Sequence, residues 1–77
     1  MQKTAVIGGS FSWGALRGRL RLQIDLECAD ASVLFRIGDD REWKPTPFKS
    51  KMFWRDGGEA DSSLALRTVH KWLAEQR

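Results

Sequence analysis

The segment from Ala15 to Cys28 alternates between apolar and polar residues with a period of two. Its even-numbered positions are apolar or small, and its odd-numbered positions from Arg17 to Glu27 are polar. Successive side chains of a β-strand point to opposite faces of a sheet, so this alternation predicts one long strand with a buried face and a solvent face. A helix would distribute the same leucines around its whole circumference. Cys28 continues the apolar row, which predicts a buried cysteine.

An antiparallel partner for this strand is predicted from Ser32 to Gly38, where alternate residues are again apolar. A tight turn within residues 29–31 keeps the apolar residues of both strands on the same face. One of the registers that such a turn allows pairs Asp25 with Arg36, a favourable cross-strand pair of opposite charge.

Five further segments complete the prediction of strands and turns. Lys3 to Ile7 is rich in strand-forming residues, and Gly8-Gly9-Ser10 is predicted to follow it as a turn. Trp43 to Phe48 contains two prolines and is predicted to be an extended loop. Lys49 to Arg55 is predicted to be a short strand, and Asp56-Gly57-Gly58 a second turn.

The C-terminal segment predicts an α-helix, which Asp61, Ser62 or Ser63 can cap. Its apolar residues fall on one stripe at helical spacing: Ala65, Leu66, Val69, Trp72 and Leu73. We therefore predict one small α+β domain over residues 1–77, with element order β-β-β-(β)-α. A three- to four-stranded antiparallel sheet would carry the C-terminal helix on its apolar face.

Composition narrows the classes of function. The single cysteine excludes an internal disulfide, and no Cys/His cluster is spaced to hold zinc. No apolar run approaches the roughly 20 residues of a membrane span, and the N-terminal apolar run is too short for a signal peptide. We therefore predict a cytoplasmic protein with no membrane partner, no metal and no other cofactor. A net charge of +3, from 13 Lys and Arg against 10 Asp and Glu, permits a polyanionic partner.

Catalysis has little support in the sequence. Cys28 and His70 lie on elements that could touch, but no third residue is placed to orient such a pair. The carboxylates lie mostly at turns, and no two of them have the context of an acid/base couple in a pocket. We predict a binding protein and not an enzyme.

The main functional feature is a basic row on the polar face of the long strand. Arg17, Arg19 and Arg21 are spaced about 7 Å apart along it, and Arg36 can join them from the partner strand. Like charges this close repel each other unless a ligand such as a phosphate backbone neutralises them, and arginine suits bidentate contacts to phosphate or guanine. Gln23 continues the row as a candidate for a base contact.

An ordinary solvated polar face is the competing interpretation of this row, because Asp25 and Glu27 extend it with opposite charge. A second group, between residues 43 and 55, interleaves basic and aromatic residues, a combination that suits phosphate contacts and base stacking. Its candidate nucleic-acid contacts are Lys49, Lys51 and Arg55. For the aromatic rings of this group, packing in the core is the favoured alternative.

Two functions remain open on the sequence alone. The first is binding of DNA or RNA through the arginine-rich face of the sheet. The second is a small inhibitor or adaptor, of the type that phages and mobile elements encode, which docks the same surface on an acidic protein. Trp13, Trp43 and Trp54 are its candidate interface residues, since Trp and Arg dominate interface hot spots. The sheet edge also offers a surface for a homodimer.

Overall fold

The computed structural model of the chain describes residues 4–13 and 16–76, with side chains for residues 4–9 and 19–76. Its elements are β1 (Thr4–Trp13), β2 (Leu16–Asp25), β3 (Ser32–Ile37), β4 (Lys44–Lys49), a 3₁₀ helix (Ser50–Phe53), β5 (Trp54–Arg55), β6 (Glu59–Ala60) and α1 (Ser62–Glu75). Strands β1 to β4 form one antiparallel sheet in sequence order, and β5 and β6 form a separate hairpin. The predicted α+β class, with the helix against the sheet, is confirmed.

The alternation along β2 divides the sheet into an inner and an outer face. Leu20, Leu22 and Ile24 are buried, whereas their odd-numbered neighbours from residue 19 to residue 23 are exposed or half-buried. The inner face meets α1, whose Ala65 and Val69 are fully buried against it. The buried core consists of Leu20, Leu22, Ile24, Val33, Phe35, Phe53, Ala65 and Val69.

β2 ends at Asp25, before the predicted end at Cys28, because the Asp25 side chain binds the chain that follows it. One carboxylate oxygen accepts hydrogen bonds from the backbone N–H groups of Cys28 and Glu27, both at 2.8 Å. These bonds, Cys28 first, lower the pKa of the Asp25 carboxyl below its usual 3.8. Residues 26–31 therefore form a longer connection than the predicted tight turn. Cys28 is exposed in it, so the prediction of a buried cysteine is wrong.

β1 continues through Gly8 and Gly9, so the predicted turn at these glycines is wrong. Both are ladder residues, with Gly8 opposite Arg21 and Gly9 opposite Leu20. Gly9 leaves room for the helix, because a Cβ atom at this position would lie only 3.2 Å from Cδ1 of Leu66. Gly9 thus allows α1 to pack closely on the strand, and neither glycine interrupts it.

The segment with the two prolines is an edge strand of the sheet and not the predicted loop. Pro45 lies opposite Leu34, and the register of the ladder shifts beyond that pair. Proline is tolerated on an edge strand or at a bulge, because its missing N–H is not required by a neighbour. The buried Thr46 supplies a side-chain bond, donating from its hydroxyl to the Val33 carbonyl at 2.7 Å.

The predicted strand from residue 49 to residue 55 is reduced to the short β5. The residues before it form the 3₁₀ helix, which is tied to the β2–β3 connection. There the Ser50 N–H donates to the Ala31 carbonyl at 2.8 Å, and the Ser50 hydroxyl accepts from the Asp25 N–H at 3.0 Å. The turn at residues 56–58 is confirmed, and Gly57 and Gly58 adopt positive φ angles of 90° and 77°.

The C-terminal helix has the predicted cap and the predicted apolar stripe. The Asp61 carboxylate accepts a hydrogen bond from the Leu64 N–H at 3.1 Å, which satisfies one of the free donors of the first turn. Trp72 packs edge-on against Phe35 and Phe48, with ring centroids 5.7 and 6.1 Å apart. These contacts fix the helix across the inner face, so the outer face of the sheet carries no helix in the described structure.

Candidate nucleic-acid interface

The register of the β2–β3 ladder places Arg21 directly opposite Arg36. The sequence-based register, with Asp25 opposite Arg36, is wrong because the connection between these strands is longer than a tight turn. Asp25 lies at the end of β2, where its carboxylate is engaged by backbone N–H groups. The predicted ion pair is thus replaced by a pair of like charges on the outer face.

A third arginine lies next to this pair. The Gly38 N–H donates to the Arg19 carbonyl at 2.9 Å, so odd-numbered residues of β2 direct their backbone groups toward β3. Arg21 and Arg36 are therefore a hydrogen-bonded pair, with Cα atoms about 5.5 Å apart. Arg19 lies two residues along the same face, about 7 Å away. We call Arg19, Arg21 and Arg36 the arginine cluster.

Trp43 holds one member of the cluster in place. The Cζ atom of Arg36 lies 4.7 Å from the centroid of the Trp43 ring, within the range of a cation–π contact. Nε of Arg36 is buried and has no hydrogen-bond partner among the described residues. Trp43 was predicted as a protein-interface residue, and the structure gives it a role in orienting Arg36. This contact was not predicted, because the two prolines led to a loop being expected where β4 lies, and the pairing of β4 with β3 brings Trp43 beside Arg36.

No carboxylate neutralises the arginine cluster within the part of the chain that the structure describes. The single ion pair there joins Lys51 and Asp30, with N and O atoms 4.0 Å apart. The acidic turn from Asp39 to Glu42 folds near the end of β3 but makes no ion pair with the cluster. An ordinary solvated face would be expected to pair some of these arginines with carboxylates. The unpaired charges therefore favour a ligand-binding face over a merely solvated one.

Small residues of β1 leave space beside the cluster. Gly8, opposite Arg21, has no side chain to cover that arginine. An open depression of about 280 Å³ lies here, lined by Val6, Ile7, Gly8, Gly9, Arg19 and Arg21. A ligand group on this face can therefore reach the arginine side chains from above β1.

The second basic group does not join the cluster. Lys49 is exposed at the end of β3 and β4 that is farther from the cluster. Lys51 lies in the 3₁₀ helix and pairs with Asp30, and Arg55 is exposed opposite Glu59 in the separate hairpin. Two of these three predicted contacts thus lie near carboxylates, and none of them is adjacent to the cluster.

The other predicted site residues are placed as follows. Gln23 is half-buried on the outer face, one step beyond Arg21. Trp54 is 38% exposed, and its indole N–H donates to the Asp25 carbonyl at 2.7 Å, which gives it a structural role. Arg17 and Trp13 occupy ladder positions in β2 and β1, and their side chains lie outside the described residues.

The residues considered for catalysis and metal binding are separate from the cluster. Cys28 is a free, exposed cysteine in the β2–β3 connection, and His70 is half-buried on α1. Over residues 4–13 and 16–76, no group of three or more His, Cys, Asp or Glu side chains could hold a metal ion. The prediction that the chain is not an enzyme stays a prediction.

Comparisons with known proteins add no functional information. No protein-family model, curated protein or solved structure matches the chain. None of the described helices is long and apolar enough to cross a membrane. The functional interpretation therefore depends on the geometry and charge of the described residues.

Proposed function

We propose that the protein is a non-enzymatic binding module that contacts the phosphate backbone of nucleic acid through the arginine cluster. The observation that carries this proposal is the placement of Arg21 opposite Arg36, with Arg19 beside them and no carboxylate paired to any of the three. A polyanion relieves the repulsion among the three charges and gains three charge-assisted contacts.

The chemistry of the cluster favours phosphate as the ligand group. A guanidinium group presents its donors in a fork that matches two phosphate oxygens. Trp43 lies against the head group of Arg36, whose Cζ atom is 4.7 Å from the ring centroid. Because Nε of this arginine is buried, a phosphate group would contact its terminal nitrogens. The open surface above Gly8 gives a phosphate group access to Arg21.

The composition of the outer face favours contacts to the backbone over stacking on bases. Its described residues on β1 to β3 are Thr4, Val6, Gly8, Arg19, Arg21, Gln23, Asp25, Ser32, Leu34 and Arg36, none of which is aromatic. The nearest ring, that of Trp43, is already engaged by Arg36. Binding through phosphates is largely independent of sequence, so DNA and RNA are both candidate ligands. Gln23 is the residue on this face that can add a hydrogen bond to a base edge.

An acidic protein surface is the second candidate partner. Val6 is 61% exposed on the outer face and Leu34 is half-buried there, so apolar area lies beside the charges as it does in protein interfaces. Cytoplasmic localisation stays a prediction from the sequence.

Matched charge variants test the proposal. Arg19→Gln/Arg21→Gln and Arg67→Gln/Lys71→Gln each remove two positive charges, which takes the net charge from +3 to +1. The first pair lies on the outer face, and the second lies on exposed positions of α1. Fluorescence anisotropy with labelled duplex and single-stranded oligonucleotides measures the affinity of each variant at low salt.

We expect the β2 variant to bind at least about tenfold more weakly than wild type, because it loses two charge-assisted contacts. The helix variant should stay within about threefold of wild type, since only the weak long-range effect of net charge changes. Equal losses in both variants would contradict the proposed site. Tight binding of an acidic protein with no binding of oligonucleotides would favour the second candidate.

A further inference from the structure

The two edges of the four-stranded sheet are protected to different degrees. β4, at one edge, begins and ends with a lysine and contains Pro45 and Pro47, and both residue types discourage pairing with another strand. β1, at the other edge, has ten residues with the sequence TAVIGGSFSW, which contains no charged residue and no proline. Natural proteins rarely leave so long an uncharged edge without a partner.

The direction of the backbone groups on β1 follows from the ladder. The Gly38–Arg19 hydrogen bond directs the odd-numbered residues of β2 toward β3, and the even-numbered ones toward β1. Leu20 therefore bonds to Gly9 and Leu22 to Ile7, across the β1–β2 ladder. The alternate residues of β1 then direct their N–H and C=O groups away from the sheet: Thr4, Val6, Gly8, Ser10 and Ser12.

Nothing in the described structure occupies this edge. The backbone hydrogen bonds outside the helices and ladders involve no residue of β1 among those described. The helix meets β1 on the inner face, where Leu66 packs over Gly9, and so leaves the edge open. Val6, in the middle of the edge, is 61% exposed.

We propose that this edge pairs with β1 of a second copy of the chain, in antiparallel orientation about a two-fold axis. In the register that pairs residues 4–12 of the two copies, Gly8 lies on the axis, Val6 lies opposite Ser10 of the partner subunit, and Thr4 lies opposite Ser12 of the partner subunit. Every outward N–H and C=O group is then paired, which gives about ten hydrogen bonds in one continuous sheet.

Charge does not oppose a second copy at this edge. Each uncharged edge strand adds no repulsion of its own, although each chain carries a net charge of +3. The β2 strands of the two copies are three strand spacings apart, about 14 Å, which exceeds the Debye length of about 8 Å at physiological salt. The two arginine clusters would therefore lie on one face without strong mutual repulsion.

Amide hydrogen exchange, measured by NMR without nucleic acid, tests this pairing directly. In the monomer, the amides of Ala5 and Ile7 are protected by the ladder and those of Val6 and Gly8 exchange fast. In the dimer all four amides are protected. We expect the Val6 and Gly8 amides to become protected as the concentration rises from about 10 μM to about 1 mM, a range that spans weak association constants.

Sedimentation of two variants gives an independent test. Val6→Pro removes an N–H group that the monomer does not use, so we expect a folded protein that sediments at the chain mass of 8.8 kDa. Val6→Thr retains the N–H and is expected to sediment at twice that mass at high concentration, as does wild type. Circular dichroism establishes that each variant is folded.

Wild type that stays at 8.8 kDa, with fast exchange of the Val6 and Gly8 amides at every concentration, would overturn the proposal. A folded Val6→Pro variant that remains a dimer would do the same. If Val6→Pro does not fold, the exchange pattern of wild type decides the question without it. These measurements contain no oligonucleotide, so their outcome is separate from that of the proposed function.

Discussion

Replacing Arg21 with glutamine should make the free protein more stable while weakening its binding to nucleic acid. Arg21 lies opposite Arg36 and two residues from Arg19, and no carboxylate in the described structure pairs with it. Removing its charge therefore removes two repulsive interactions from the folded state. A residue kept for folding alone would be expected to show the opposite effect.

The geometry sets the size of the effect. Two unit charges about 7 Å apart repel by about 0.6 kcal/mol in water and about 2.4 kcal/mol at an effective dielectric constant of 20. Like charges directly opposite in a sheet cost about 0.2–1 kcal/mol. Since Arg21 has two such neighbours and loses some packing of its half-buried stem, we expect a net gain of about 0.5–1 kcal/mol at low salt. This gain corresponds to a Tm higher by roughly 2–8 °C for a chain of this size.

Thermal and urea unfolding at about 0.01 M and about 1 M salt measure the gain in stability. Because the Debye length falls from about 30 Å to about 3 Å over this range, the comparison shows whether the gain comes from charge repulsion. The gain should be largest at low salt and nearly absent at high salt. Arg55→Gln is the matched control, because Arg55 lies opposite Glu59 and its removal takes away an attraction between opposite charges, although the two side chains form no ion pair in the described structure. This control should lose up to about 1 kcal/mol at low salt.

Two results would refute this reasoning. One is an Arg21→Gln variant that is less stable than wild type at low salt. The other is a stability change that does not depend on salt, because only screened charges account for the expected gain.

Three further outcomes follow from single contacts. Thr46→Val should lower the free energy of unfolding in urea by about 1–3 kcal/mol, because it leaves the buried Val33 carbonyl without its side-chain donor. Gly9→Val should cost at least about 1 kcal/mol in thermal unfolding, because even a Cβ atom there lies 3.2 Å from Leu66. The lowered pKa of Asp25 means that its contribution to stability is present above pH 3.8 and is lost as the pH falls through the folded-state pKa. Acid titration of Asp25→Ala should show a smaller loss of stability in that range.

The periodic parts of the fold could be predicted from the sequence. The alternation along β2 and the helical stripe of α1 each reflect burial on one face, and such burial produces a periodic pattern of apolar residues in the sequence. The segments that were predicted wrongly depend on contacts made across the fold. Gly8 and Gly9 lie in a strand and not in a turn, and α1 packs against Gly9. Pro45 lies in an edge strand, where no neighbouring strand needs its missing N–H group as a donor.

The candidate site could be predicted only in outline. The arginines of β2 were visible in the sequence because the polar face alternates, and Arg36 was expected to join them. The residue opposite Arg36 could not be predicted. The side chain of Asp25 binds the backbone after β2, so β2 ends early and the register of β2 with β3 differs from that of a tight hairpin. The contact between Arg36 and Trp43 depends on β4, which was not predicted because its two prolines are typical of a loop.

The salt dependence of oligonucleotide binding by the wild-type protein tests the central claim most directly. If Arg19, Arg21 and Arg36 each neutralise a phosphate group, the slope of log K against log salt concentration should be about −2.7 for duplex DNA and about −2.1 for a single strand. Affinity for duplex DNA would then fall roughly 40-fold between about 50 and 200 mM salt. A slope near zero, or no binding at the lowest salt concentration, would contradict phosphate recognition by the arginine cluster.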